Sequence, residues 1–140
     1  MFTSTMSHRG DGIRLPGMDN VKLTKRFNTA MIALEAASRR LSTRERLLIQ
    51  VHASRLNGCS FCEEMHAGEA AKKDIELTPI NAREELILEL TTMGTVLGDQ
   101  WDDKLIDRGL ETLGDKDTAS VVAAIATINA WNRIGRMCRK

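Results

Sequence analysis

Apolar residues recur at intervals of three and four along most of this chain of 140 residues. That spacing places side chains on one face of an α-helix. The residues that form these apolar stripes are Leu23, Phe27, Ala30, Met31 and Leu34; Leu47, Leu48 and Val51; Leu86, Leu90, Met93 and Leu97; and Val121, Ala124, Ile125 and Ile128. No stretch shows the strict alternation that is typical of a half-buried strand. The pattern predicts a single all-α domain of about six helices.

Polar and turn-forming residues indicate where the first of these helices begin and end. Ser42 with Glu45 three residues later is a capping-box pattern, so a helix should start near Thr43. Asn57-Gly58 is a turn signal that should end it. A further helix is expected to open at Cys59 and to run to about Lys73.

Similar signals divide the second half of the chain. Asn81 with Glu84 repeats the capping pattern in front of another helix. A shorter helix is expected over residues 101–113. Asp117 or Thr118 should cap the last helix, since short polar side chains are preferred at that position.

The first 19 residues are polar and contain three glycines and a proline. We expect residues 1–19 to form a mobile arm and residues 20–140 to form one helical domain. The arm lacks the apolar centre of a signal peptide, and the apolar run at residues 121–128 is too short to span a bilayer. The sequence therefore favours a cytoplasmic protein with no membrane partner.

The charged residues nearly cancel and leave a formal net charge of +1. Such a balance gives no strong field for nucleic acid, and a chain with two Trp and no Tyr offers little surface for stacking bases. We expect no nucleic-acid partner. Three cysteines are too few for a disulfide framework, so their spacing decides how they are interpreted.

The segment Cys59-Ser60-Phe61-Cys62-Glu63-Glu64-Met65-His66 carries the candidate chemistry. Positions three and four apart share a helix face, so two thiols and an imidazole would point the same way. A helix start near Cys59 would favour the thiolate form. The spacing indicates a dithiol redox centre with Cys59, Cys62 and His66 as its members.

Two other interpretations of the cysteines remain open. Free cysteines often pack as small buried hydrophobes. A structural zinc site needs four ligands, whereas the motif supplies three and His52 is the only nearby nitrogen candidate. Redox chemistry is favoured, and we expect neither a metal nor a bound cofactor.

Leu56-Asn57-Gly58-Cys59-Ser60-Phe61-Cys62, followed by His66 and Ala70, resembles the core motif of the alkylhydroperoxidase D-like family within the carboxymuconolactone decarboxylase superfamily. Ile128-Asn129-Ala130-Trp131-Asn132-Arg133 resembles a second block that is common in that family. The likeness covers about residues 20–140 and implies the family's helical fold.

The resemblance also implies a division of roles. In these peroxidases the second cysteine attacks a hydroperoxide and becomes a sulfenic acid, which the first cysteine converts to a disulfide. On that pattern Cys62 is the peroxidatic thiol, Cys59 the resolving thiol and His66 the proton relay. The family further implies a dithiol or lipoyl-type reductant and a homo-oligomer, a trimer or a hexamer. Alternative functions are a non-catalytic metal-binding or redox-sensing module and a carboxymuconolactone decarboxylase-like enzyme.

The chain departs from the family pattern at two positions. Leu47 stands where the preceding helix usually carries a glutamate, and Phe61 stands where a second histidine sometimes lies. His52 is a possible substitute in the relay, although a packing role is favoured for it. Packing and capping are likewise expected of the polar residues in the second block, and Cys138 has no spaced companion.

Overall fold

A computed structural model describes residues 21–138, so the arm expected at residues 1–19 lies outside the described part of the chain. The described residues form six helices and no strand, which confirms the predicted all-α fold. The helices are α1 (Lys25–Ala36), α2 (Thr43–Leu56), α3 (Ser60–Lys72), α4 (Ala82–Thr95), α5 (Asp103–Leu113) and α6 (Asp115–Met137). Among these residues, no helix is long and apolar enough to cross a bilayer.

Helix α2 is the centre of the fold, because it packs against α3, α4 and α6. Its predicted inward residues, Leu47, Leu48 and Val51, are all buried. The main apolar core lies between α2, α4, α5 and α6. Its buried members are Leu41, Ile49, Ala53, Leu86, Ile87, Leu90, Leu105, Leu113, Val121, Ala124, Ile125 and Ile128.

The two helix starts predicted from capping patterns are confirmed. At α2 the Ser42 side chain accepts from the backbone N–H of Glu45, and the Glu45 carboxylate accepts from the backbone N–H of Ser42. At α4 the Asn81 side chain accepts from the backbone N–H of Glu84. The Glu84 carboxylate accepts from the N–H of Ile80 instead of closing a capping box.

Two apolar stripes were extended too far. Leu97 lies beyond the end of α4 and is 71% exposed, because the helix stops at Thr95 and Val96 leaves the helical conformation. Leu23 precedes α1, whose N-cap is Thr24.

The starts of the last two helices also differ from the prediction. Helix α5 begins at Asp103, and Trp101 lies outside it. Helix α6 begins at Asp115 after Gly114, whose φ is +79°. Asp117 and Thr118 do not cap α6, because they already lie in its first turn. There Asp117 pairs with Arg40 and Arg83, and the Thr118 hydroxyl donates to the carbonyl of Gly109.

Candidate functional site

Cys59 and Cys62 are joined by a disulfide at the start of α3, with their Cα atoms 5.3 Å apart. This separation lies within the range of a direct bridge, as the spacing predicted. Cys59 is the N-cap of α3 and Cys62 is the third residue of the helix. Cys59 is only 3% exposed and Cys62 only 4%. The site is therefore a buried cysteine pair at a helix N-terminus, where the backbone dipoles favour a thiolate.

A tight turn between α2 and α3 brings the first cysteine into place. Asn57 caps α2, and Gly58 follows with φ at +64°, a conformation that favours glycine. The backbone N–H of Cys59 then donates to the carbonyl of Ser54 at 3.0 Å. The turn predicted from Asn57-Gly58 thus connects α2 to α3, the helix that carries the cysteine pair.

The sulfurs lie against the backbone of α6 at Gly135. A Cβ atom at this position would lie 2.9 Å from the sulfur of Cys59 and 2.9 Å from that of Cys62. Side chains do not tolerate such approaches without rearrangement. Only a glycine lets α6 close over the pair in this arrangement.

A network of side-chain hydrogen bonds ties α6 to the same turn. The Asn57 amide donates to the side-chain oxygens of Asn129 and Asn132, both at 2.9 Å. The Asn132 amide donates to the Ser54 hydroxyl, and Asn132 is completely buried. The Arg136 guanidinium donates to the carbonyl of Asn57 at 3.0 Å. These bonds agree with the packing and capping role expected for the second block.

His66 lies one helical turn after Cys62 on α3 and is buried. Burial lowers the pKa of His66, and the neighbouring Glu69 carboxylate raises it to a smaller extent. The imidazole is therefore neutral at pH 7. Its Nδ1 atom has no hydrogen-bond partner among residues 21–138 and lies 3.9 Å from the Glu69 carboxylate. A neutral ring in this position has the capacity to accept a thiol proton.

The other candidate residues have contacts of their own. His52 Nε2 forms a 2.7 Å hydrogen bond with the Thr92 hydroxyl of α4, and burial lowers the pKa of His52. Leu47 is 1% exposed and adds no titratable group to α2 at the position of the family glutamate. Glu63 pairs with Arg55 at 2.7 Å, which joins the first turn of α3 to α2.

Across the described residues, no group of three or more His, Cys, Asp or Glu side chains could hold a metal ion. Cys138 is free and buried. It packs with Met31 and Ile134 and so belongs to a small second apolar core.

Sequence reasoning missed Gly135 and Arg136. A glycine inside a helical pattern signals a close approach, so Gly135 could have been found. Arg136 gave no such signal, because a single arginine near a helix end is ordinarily solvated.

Three comparisons bear on the family. The model of the carboxymuconolactone decarboxylase family matches residues 21–84, which include the cysteine motif. The uncharacterized protein YdfG of Bacillus subtilis is 31% identical over 106 residues, which cover 66% of this chain and 71% of YdfG. A crystal structure from Agrobacterium tumefaciens superposes with a TM-score of 0.69 and 25% identity, covering 83% of this chain and 91% of that one. That protein is described as of unknown function and as a candidate antioxidant defence protein AhpD. With its cysteine motif inside the matched segment and its helices arranged as in the AhpD-like structure, the chain belongs to the carboxymuconolactone decarboxylase family.

Proposed function

We propose that the protein is a thiol-dependent peroxidase that reduces hydroperoxides with Cys59 and Cys62. The observation that carries the proposal is the disulfide between these residues at the N-terminus of α3. The likeness to a candidate antioxidant defence protein supports the same class of chemistry.

In the first step the Cys62 thiolate attacks the outer oxygen of a hydroperoxide. The O–O bond breaks, Cys62 becomes a sulfenic acid, and an alcohol leaves after it takes up a proton. Cys62 has the better position for this role because its backbone N–H belongs to the first turn of α3, where the N–H groups lack helical partners.

In the second step the Cys59 thiol attacks the sulfur of the sulfenic acid. A disulfide forms and water leaves, which balances the oxidation. The 5.3 Å separation of the Cα atoms allows this closure without moving the backbone. An external dithiol then supplies two electrons by thiol–disulfide exchange and is itself oxidised to a disulfide.

His66 is the proposed proton carrier of both steps. Its burial keeps the ring neutral, so it has the capacity to take the thiol proton and return it to the leaving oxygen. Leu47 cannot share this task, so we expect slower turnover than in a protein with a carboxylate at that position. A lipoyl-type dithiol as reductant and a trimeric or hexameric assembly are part of the proposal.

The test is steady-state consumption of cumene hydroperoxide with dihydrolipoamide as reductant. The wild type should turn over many times, and both Cys62→Ser and Cys59→Ser should lose this turnover. Cys138→Ser is the matched control, since it removes a buried thiol outside the motif.

Three outcomes would contradict the proposal. Turnover that survives in Cys62→Ser would remove the peroxidatic role from Cys62. Loss of turnover only in Cys138→Ser would move the chemistry to another thiol. A wild type that consumes a single equivalent and then stops would favour a redox-sensing module over an enzyme.

A further inference from the structure

A pocket lies between α6 and the turn that precedes Cys59. It has a volume of about 400 Å³ and is lined by Asn57, Asn132, Arg133, Arg136 and Met137. Small-molecule sites in proteins range from about 300 to 1,000 Å³. This pocket is therefore large enough for a small organic molecule.

Two chain segments line the pocket, the α2–α3 turn and the end of α6, and both also lie next to the cysteine pair. Asn57 precedes Cys59 by two residues, and a Cβ at Gly58 would lie 3.9 Å from Nη1 of Arg136. On α6, Arg136 directly follows Gly135, where a Cβ would lie 2.9 Å from both sulfurs. A molecule bound beside Arg136 would thus lie next to the residues that hold the disulfide.

Two positive charges line this pocket without a carboxylate partner among residues 21–138. Nη1 of Arg133 donates to the carbonyl and to the side-chain oxygen of Asn129. Nη1 of Arg136 donates to the carbonyl of Asn57. All three acceptors are neutral, and no bond to a described residue engages Nε or Nη2 of either arginine.

Among residues 21–138, five of the other arginines pair with a carboxylate, whereas Arg26, Arg39 and Arg46 do not. Those that pair with a carboxylate within 4 Å are Arg40, Arg44, Arg55, Arg83 and Arg108. Arg133 and Arg136 differ from the other unpaired arginines in that both line one pocket, where their free donors could meet an anion. A carboxylate suits the planar fork of a guanidinium, and Met137 with the arginine stems offers apolar contact for a hydrocarbon body.

We propose that this pocket binds the carboxylate of an organic hydroperoxide and so makes carboxylated hydroperoxides the preferred substrates. The assignment rests on the proposed peroxidase function. Arg133 and Arg136 act here as binding residues that hold the substrate beside the thiols.

The first test measures binding alone and needs no turnover. Calorimetric titration at low salt compares 4-isopropylbenzoate with the neutral 4-isopropylbenzamide. The wild type should bind the carboxylate about tenfold more tightly, because a hydrogen bond to a charged group is worth roughly a factor of ten. The double variant Arg133→Gln/Arg136→Gln should lose this difference. Arg108→Gln on α5 is the control that removes an exposed arginine elsewhere and should keep it.

The second test compares kcat/KM for cumene hydroperoxide with that for its 4-carboxy derivative. The ratio in favour of the carboxylated substrate should fall about tenfold in the double variant and stay at the wild-type value in Arg108→Gln. A ratio of rates is insensitive to partial loss of active protein.

Equal affinity of the wild type for the benzoate and the benzamide would overturn the pocket assignment. Inorganic phosphate that binds as tightly as the benzoate would also overturn it, since the site would then hold anions without regard to the carboxylate. A protein that consumes neither hydroperoxide would refute the peroxidase function, while the titration would still decide the pocket.

Discussion

The two ends of α2 are held in different ways. At the N-terminal end, charges meet opposite charges: Arg44 pairs with Glu84 at 2.7 Å, and Arg83 pairs with Glu45 at 2.6 Å. At the C-terminal end there is one largely exposed ion pair, Arg55 with Glu63. The other bonds there are made by neutral amides and a carbonyl, as Asn57 does with Asn132 and Arg136. The cysteine pair lies at this second end.

The two ends differ in whether their polar groups remain free to bind or react. Groups at the charged end are already satisfied by one another, so that end fixes the helices. At the amide end, Asn57 and Asn132 hold the turn, while the guanidinium groups of Arg133 and Arg136 keep donors without a described carboxylate partner. The same end contains the cysteine pair. We expect mutations at the charged end to affect stability alone and mutations at the amide end to affect the thiol chemistry as well.

The largest effect on stability is expected from Glu84→Ala at the charged end. Glu84 is buried and accepts from Arg44 and from the backbone of Ile80. Its removal leaves Nε of Arg44 and the backbone N–H of Ile80 without their acceptor, while Arg44 still donates to the carbonyls of Glu76 and Thr78. The free energy of unfolding should fall by about 3 kcal/mol. Urea denaturation measures it. The control is Glu89→Ala, whose exposed pair with Arg108 should contribute less than about 0.5 kcal/mol.

Acid should reproduce part of this loss. The hydrogen bond from Arg44 is the main cause that holds the pKa of Glu84 below its ordinary value of 4.5. A carboxyl whose pKa is lowered in the folded state stabilises the protein above its unfolded pKa and loses that contribution as the pH falls. The stability difference between wild type and Glu84→Gln should therefore shrink below about pH 4.5. A difference that grows on acidification would contradict the pairing.

The next effect is expected from Gly135→Ala at the amide end. The added methyl group meets both sulfurs at 2.9 Å, so α6 or the cysteines must move. We expect a loss of about 2 kcal/mol in the oxidised protein and slower closure of the disulfide, measured by denaturation and by rapid-quench thiol trapping.

Gly68→Ala provides the matched control for this glycine. Gly68 lies within α3, and a Cβ there would meet no heavy atom within 4 Å. Alanine favours the helix, so the variant should gain roughly 0.5–1 kcal/mol. If Gly135→Ala were as stable as Gly68→Ala, the close approach of α6 to the sulfurs would be refuted.

A smaller effect is expected from the two histidines. In the reduced protein, His66→Ala should slow iodoacetamide labelling of Cys62 roughly tenfold, which is less than full acid–base catalysis because alkylation needs only the thiolate. His52→Ala should have a weaker effect, since His52 bonds to Thr92 on α4. Burial holds the pKa of His66 below 6.5, so its ring should stay neutral as the pH falls to that value. If His52→Ala slowed the labelling of Cys62 more than His66→Ala does, His52 would be the proton relay.

Much of the fold followed from local signals. The capping residues Ser42 and Asn81 act on their own helices, and a helix start depends on such nearby bonds. The predicted apolar face of α4 was too long, because Leu97 continues the apolar spacing although the helix stops at Thr95. The predicted start of α6 was wrong because the helix begins directly after Gly114, which also ends α5. Asp117 forms ion pairs with Arg40 and Arg83 instead of capping, and such distant partners leave no local signal.

The site divides in the same way. Cys59, Cys62 and the turn before them lie within one short segment, so their spacing predicted the bridge. Gly135 and Arg136 approach that segment only through the packing of α6. A sequence pattern records distance along the chain, whereas this part of the site depends on contacts between helices that are far apart in sequence.

The most direct test of the central claim is to trap the first oxidation product. Reduced Cys59→Ser protein is treated with one equivalent of cumene hydroperoxide in the presence of dimedone, and mass spectrometry locates the adduct. We expect the adduct on Cys62 and, in the wild type, a Cys59–Cys62 disulfide that dihydrolipoamide reduces again. An adduct on Cys138, or no oxidation of Cys62 at all, would refute the peroxidatic role of Cys62.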